Sequence, residues 1–176
     1  MPARAVRWPA LCGNLANYTI QREQWVPRPL EEVFAFFSDA SNLELLTPSW
    51  LKFKILTQTP ITVARGTHLQ YRLSWHGVPL HWTTEITRWN PPRDFEDIQL
   101  SGPYKLWRHT HRFRAHEGGT QMTDIVEYAL PFGLLGSLAY ALQVRRNVEK
   151  IFDYRYDRIQ QMFGGPRTSR AADQRR

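Results

Sequence analysis

The sequence is almost free of cysteine, because Cys12 is the only one in 176 residues. An intrachain disulfide is therefore excluded, and so is a metal site built from several thiolates. Long apolar runs are also missing, since no segment approaches the roughly 20 residues of a membrane-spanning helix. The apolar residues near the N-terminus are interrupted by Arg7, Pro9 and Gly13, so we expect no secretory hydrophobic segment there. We therefore expect a cytoplasmic protein with no membrane span.

Positive charge is scarce in the middle of the chain, although the formal net charge is +7. Residues 164–176 and 1–17 carry net charges of +3 and +2, which leaves residues 18–163 at only +2. A nucleic-acid-binding domain needs a basic face on its folded part, so we expect no nucleic-acid partner. We predict an N-terminal extension over 1–17, one domain over 18–163 and a basic disordered tail over 164–176. The tail either aids solubility or acts as an interaction segment.

Aromatic residues are plentiful, at 13% of the chain with seven tryptophans. The length suits one domain, large enough to bury a core or to enclose a cavity. Each aromatic ring taken singly could belong to a packed core. Their collective excess favours a lined cavity.

The order of the predicted elements defines the fold class. A first strand covers 18–26, an amphipathic helix follows Pro29, and a second short helix in SNLELLTP has Ser41 and Glu44 in capping-box register. Six further strands fill 51–130. A helix of about 25 residues follows, with Leu138, Leu142, Val148, Ile151, Phe152, Ile159 and Met162 at helical spacing. We predict an α+β domain in which a curved seven-stranded antiparallel sheet packs against one long C-terminal helix.

The segment WRHTHRF, residues 107–113, holds two histidines one residue apart. Successive side chains of a strand point to opposite faces. One face of this strand then carries arginines and is solvated. The other points inward, and it carries Trp107, His109, His111 and Phe113.

The turn HEGG sets the register of the hairpin that follows. If position 115 faces 120, His111 lies opposite Asp124 and Phe113 lies opposite Met122. A shift by two residues keeps the same parity, so Tyr128 shares this inward face. A buried histidine needs a polar partner, and Asp124 is within its reach.

Several segments together resemble a known family: VPRPLEEVFAFFSDASNLELLTPSWLKFKI, GTHLQYRL, PLHWTTEI, GPYKLWRHTHRF, GTQMTDIVEYALPFG and the terminal helix. They resemble the START-like, or SRPBCC, superfamily with its helix-grip fold, and within it the ligand-binding branch near polyketide cyclases and dehydrases. The resemblance covers about residues 18–163. It implies that the inward face lines a cavity between the sheet and the long helix. The superfamily includes carriers, receptors and enzymes, so the fold alone does not choose the function.

The leading hypothesis is that the protein binds a small hydrophobic or aromatic ligand in this cavity through shape and a few polar contacts. Arg145 on the long helix could meet an acidic group of the ligand or Asp124. The turn SGP leaves the faces of Asp97 and Gln99 undetermined. The predicted ligand-binding residues are Tyr71, Trp75, Trp82, Phe95, Trp107, His109, His111, Phe113, Met122, Asp124, Tyr128 and Arg145.

Three other interpretations of the histidine pair remain open. In a polyketide cyclase or dehydrase, His109 or His111 would be a general base oriented by Asp124, and no cofactor would be needed. Alternatively, His111 and Asp124 only satisfy each other inside an apolar face. The pair with Asp124 could also offer three metal ligands. Because the surrounding residues are aromatic, we expect no metal.

Overall fold

A computed structural model describes residues 17–58, 60–130 and 138–164 of the chain. The predicted extension over 1–17 and the tail over 164–176 lie outside the described residues, except for Asn17 and Gly164. The strands are β1 (Asn17–Val26), β2 (Lys54–Ile55), β3 (His68–Trp75), β4 (Val78–Asn90), β5 (Asp94–Ser101), β6 (Leu106–His116) and β7 (Gly119–Ala129). The helices are α1 (Leu30–Ser38) and α2 (Leu138–Phe163), with two 3₁₀ helices at Ala40–Leu43 and Ser49–Leu51.

The seven strands form one antiparallel sheet in the order β1-β7-β6-β5-β4-β3-β2. Short turns join the consecutive strands from β3 to β7, and β1 forms the far edge of the sheet by pairing with β7. The 26-residue helix α2 follows the last strand. The predicted α+β fold, with seven strands and one long C-terminal helix, is confirmed. No helix in the described part of the chain is long and apolar enough to cross a membrane.

Helix α1 forms where the sequence favours it. Leu30 follows Pro29, and Glu31 and Glu32 lie in the first turn, where the positive end of the helix dipole favours acidic side chains. Val33 and Phe34 are buried against the sheet. Helix α1 therefore fills the space between one end of the sheet and the end of α2.

The second predicted helix differs from its prediction. The chain forms only a four-residue 3₁₀ helix, Ala40–Leu43, and the side chain of Asp39 caps it by accepting a hydrogen bond from the backbone N–H of Ser41 at 2.9 Å. The predicted capping box is wrong because Glu44 accepts a bond from the backbone N–H of Ile55 instead. Ala40 of this segment is buried against Leu69 and Ile86 of the sheet.

The predicted register of the β6–β7 hairpin is confirmed. His111 lies opposite Asp124, Phe113 opposite Met122, and Ala115 opposite Thr120. His109, His111 and Phe113 are buried on the inner face of the sheet. The alternation of WRHTHRF was therefore sufficient to identify the face that meets α2.

Candidate functional site

A cavity of about 340 Å³ lies between the inner face of the sheet, the 3₁₀ segment and α2. Most of its wall is aromatic or aliphatic. Of the predicted ligand-binding residues, those that line it are Tyr71, Trp75, Trp82, Phe95, Trp107, His109 and His111.

Five predicted site residues do not line the cavity. Phe113 and Met122 belong to the packed core beneath α1, and Tyr128 packs against Tyr18 with ring centroids 5.3 Å apart. Asp124 lies behind the two histidines. The structure places Arg145 on the exposed side of α2, where its Nε lies 2.9 Å from Oε1 of Glu149. The predicted contact of Arg145 with a ligand or with Asp124 therefore has no support.

Asp124 contacts both histidines from below the cavity wall. Its Oδ1 lies 2.6 Å from Nδ1 of His111 and 3.6 Å from Nε2 of His109. Neither contact has the alignment of a directed hydrogen bond, so the attraction is mainly electrostatic. Burial raises the pKa of Asp124, but the charge of His111 and the contacts from both imidazoles outweigh it and hold that pKa well below its ordinary value. Asp124 is therefore ionised.

His109 lies between two carboxylates. Its Nδ1 is 3.9 Å from Oδ1 of Asp97, and its ring is 3.9 Å from the ring of His111 between centroids. Burial, followed by the charge of His111, lowers the pKa of His109 to about 3. His109 is therefore neutral near pH 7, and it presents one acceptor and one donor nitrogen.

Asp97 lines the cavity together with His109 and His111, and these three residues form a polar wall on the side of the sheet. The side chain of Asp97 is 16% exposed, and burial is the main cause that raises its pKa to about 6. Tyr71 lies nearby and donates a hydrogen bond to Thr84 at 3.1 Å, and burial raises its pKa as well. Gln99 has another role, because its amide donates to the backbone carbonyl of Tyr104 at 2.6 Å and closes the SGP turn.

Arg155 completes the polar wall from the side of the helix. It is 8% exposed and lines the cavity. Its guanidinium carbon lies 5.1 Å from the centroid of the Phe152 ring. Sequence reasoning missed Arg155, although its spacing from Val148, Phe152 and Ile159 is that of one buried helical stripe.

Asp97, His109 and His111 could together bind a metal ion, since one potential ligand atom of each lies within 4.8 Å of the others. Ligands about 2.1 Å from a tetrahedral zinc ion are separated by about 3.4 Å, so the side chains would have to close inward. The positive charge of Arg155 opposes a further cation, because it already contributes to the lowered pKa of His109. The group in this wall that most needs an electrostatic partner is itself a cation, the guanidinium group of Arg155.

Comparison with solved structures identifies the fold. Protein CV1439 from Chromobacterium violaceum matches with a TM-score of 0.64 at 14% identity, over 84% of this chain and 98% of that one. Protein TTHA0849 from Thermus thermophilus matches with a TM-score of 0.60 at 18% identity, over 82% and 98%. Protein Ms6760 from Mycobacterium smegmatis matches with a TM-score of 0.60 at 16% identity, over 82% and 89%. These identities support a shared fold alone.

Sequence comparison identifies the family. No curated protein sequence matches the chain. The family model described as polyketide cyclase / dehydrase and lipid transport matches residues 26–151, which include α1, all the strands after β1 and the first half of α2. This agrees with the helix-grip fold and with the resemblance to START-like proteins. The chain therefore belongs to the polyketide cyclase / dehydrase and lipid transport family.

Proposed function

We propose that the protein binds a small hydrophobic or aromatic ligand in the cavity between the sheet and α2. The observation that carries the proposal is the cavity of about 340 Å³, whose wall is mostly apolar with a few convergent polar groups. Ligand pockets commonly have volumes of about 300–1,000 Å³ and this composition. The volume is near the lower limit, so the ligand is small.

The cavity belongs to the region where aromatic side chains are abundant. Trp82 and Trp107 meet edge to face with centroids 5.2 Å apart, and Tyr104 lies 4.8 Å from Trp107. Such rings offer large, rigid apolar surfaces at a low cost in conformational entropy. A flat aromatic or short aliphatic molecule fits this wall.

Binding of Nile red, a neutral apolar dye, tests the proposal. We expect saturable fluorescence enhancement with the wild-type protein. Ile151→Trp places a large side chain into the cavity and should weaken binding at least tenfold, which is about 1.4 kcal/mol. Asp157→Trp adds the same side chain to the exposed side of α2 and should leave binding unchanged. Equal affinity in all three proteins would contradict the proposal.

A second candidate function is cofactor-independent dehydration of a β-hydroxy ketone. It is favoured by the two histidines that line the cavity while Asp124 contacts both from behind. A neutral imidazole would take the proton from the carbon next to the carbonyl, a C=C bond would form as the C–OH bond breaks, and the acid form of Asp97 would protonate the departing hydroxide. The products are an enone and water.

The substrate 4-hydroxy-4-phenylbutan-2-one tests this second candidate, because its enone product absorbs in the ultraviolet. Turnover should collapse in His111→Ala and in Asp124→Asn while Nile red still binds. Asp124 would then act as a positioning residue, because it does not line the cavity. Loss of turnover only in parallel with loss of dye binding would instead indicate that the pair is only structural.

A further inference from the structure

Arg155 is buried in the cavity wall without an ionic partner among the described residues. Within the part of the chain that the structure describes, its Nε has no hydrogen-bond partner and no ion pair includes it. The other arginines of α2 differ, because Arg145 pairs with Glu149, Arg158 donates a hydrogen bond to Gln161, and Arg146 is exposed to solvent. A guanidinium group stays charged at all ordinary pH values. An unpaired buried charge is costly, so the protein must gain something from placing it there.

The neighbours of Arg155 only partly compensate for its burial. The ring of Phe152 provides a cation–π contact at 5.1 Å, which is weaker than the hydration that the guanidinium group loses. Asp97 faces the same cavity, and burial raises its pKa, a rise that the charge of Arg155 opposes only in part. The two side chains nevertheless do not form an ion pair. The cavity therefore presents a cation that is available to a ligand.

We infer that Arg155 binds the carboxylate group of a ligand whose aromatic or aliphatic body occupies the cavity, an inference that rests on the proposed function. The planar guanidinium group can donate two parallel hydrogen bonds to a carboxylate. Asp97 adds negative charge to the same wall, so a monoanion fits better than a doubly charged phosphate. The apolar surface around Trp82 and Trp107 receives the body of the acid.

The pair 2-naphthoate and 2-naphthamide tests the inference, because the two molecules have nearly the same shape and differ in charge. We expect the wild-type protein to bind 2-naphthoate at least tenfold more tightly than the amide at pH 7.5, measured by calorimetry and by displacement of Nile red. Arg155→Gln should abolish this preference while the affinity for the amide changes less than threefold. Arg155→Lys keeps the charge without the planar fork and should retain part of the preference.

A matched control and a stability measurement separate recognition from a structural role. Arg146→Gln removes an exposed arginine from the same helix and should leave the preference unchanged. Without ligand, Arg155→Gln should unfold at the same or a higher urea concentration than the wild type, since it removes an unpaired buried charge. A marked loss of stability would mean that Arg155 is a structural residue and would overturn the inference.

The outcomes also distinguish this inference from the proposed function. If the wild-type protein binds the amide as tightly as the acid, or if Nile red binds and neither naphthyl compound displaces it, the carboxylate inference is overturned while ligand binding stands. If none of the three compounds binds, the proposed function fails together with the inference.

Discussion

The two ends of the interior contain similar aromatic residues but are filled very differently. At one end, the packed end, Phe34 of α1 contacts Phe95, Phe113 and Trp89, with ring centroids 5.5 to 6.0 Å apart. At the other end, the hollow end, Trp82, Tyr104 and Trp107 surround a cavity. The difference comes from the covering layer, since α1 inserts Phe34 at the first end, whereas at the second no side chain of the described residues fills the space of about 340 Å³.

This comparison separates the residues that hold the fold from those that shape the site. At the packed end, Phe34, Phe95 and Phe113 are buried, so a truncation leaves a new void. At the hollow end, the rings already border empty space. Phe95 belongs to both ends, because it contacts Phe34 and also stacks on His111 with centroids 4.3 Å apart. Variants at the two ends should therefore differ in their effects on stability and on binding.

The largest effect is expected from Phe34→Ala at the packed end. Removing a fully enclosed phenylalanine should lower the free energy of unfolding by about 3–5 kcal/mol. Phe53→Ala makes the same truncation in a half-buried ring of the cavity wall and should cost less than about 3 kcal/mol. Urea denaturation of both variants checks the difference. Equal losses would show that the two ends are equally well packed.

The inner face of the β6–β7 hairpin could largely be predicted from the sequence, because strand alternation and one short turn determine it. Parity alone placed His109, His111 and Phe113 inside, and the HEGG turn set the register with Asp124. A register shift by two residues would not have changed the face. Predictions that rest on the two-residue alternation of strand side chains therefore did not depend on the exact register.

A large effect is also expected from Asp124→Asn, which removes the carboxylate that both histidines contact. Breaking a buried pair should lower the free energy of unfolding by about 3–5 kcal/mol near pH 7. The folded protein lowers the pKa of Asp124, so its contribution is fully present above the unfolded value of 3.8 and is lost progressively as the pH falls from there through the lower pKa of the folded state. Urea denaturation of both proteins at pH 7, where the contribution is fully present, measures the change.

The matched control for Asp124→Asn lies on the same strand. Glu127→Gln removes an exposed carboxylate that pairs with Arg108 at 3.2 Å, and it should cost less than about 1 kcal/mol. If Asp124→Asn costs no more than this control, the contacts of Asp124 with the histidines contribute little to the fold.

A smaller effect, of opposite sign, is expected from Asp97→Asn at the hollow end. Folding raises the pKa of Asp97 from 3.8 to about 6, so the ionised carboxylate destabilises the folded state above about pH 6. The variant should therefore be more stable than the wild type by about 1–3 kcal/mol at pH 8. The difference should disappear as the pH falls below about 4, where the carboxyl group is protonated in both states.

Urea denaturation from pH 4 to pH 8 follows this difference, and the titration of His109 cancels because both proteins contain it. Glu96→Gln on the same strand is the control, since Glu96 accepts hydrogen bonds from Thr87 and Thr110 and should not be stabilised by neutralisation. Destabilisation of Asp97→Asn at pH 8 would indicate that Asp97 is the ionic partner of a buried cation such as Arg155.

The polar wall of the hollow end was harder to predict, because it depends on a turn length, on strand register and on the phase of a helix, which the sequence leaves open. The face of Asp97 depended on the length of the SGP turn, and β4 and β5 also contain register shifts. On α2, Leu142 and Met162 recur at helical spacing but are 45% and 37% exposed. The buried stripe instead runs through Val148, Phe152 and Arg155, and a small error in helical phase replaces Arg155 with Arg145 as the inner arginine.

The smallest effect on stability is expected from Trp82→Phe in the cavity wall. Trp82 is buried, but its indole N–H has no hydrogen-bond partner among the described residues, and its ring borders the cavity. Loss of apolar contact is offset by removal of an unsatisfied donor, so the free energy of unfolding should change by less than about 1 kcal/mol. Trp89→Phe makes the same change at the packed end, where Trp89 contacts Phe34 and Phe95, and should cost about 1–2 kcal/mol. Quenching of tryptophan emission by bound Nile red should fall only in Trp82→Phe. Equal quenching in the two variants would place the dye away from this wall, and the division into a packed and a hollow end would then not describe where ligands bind.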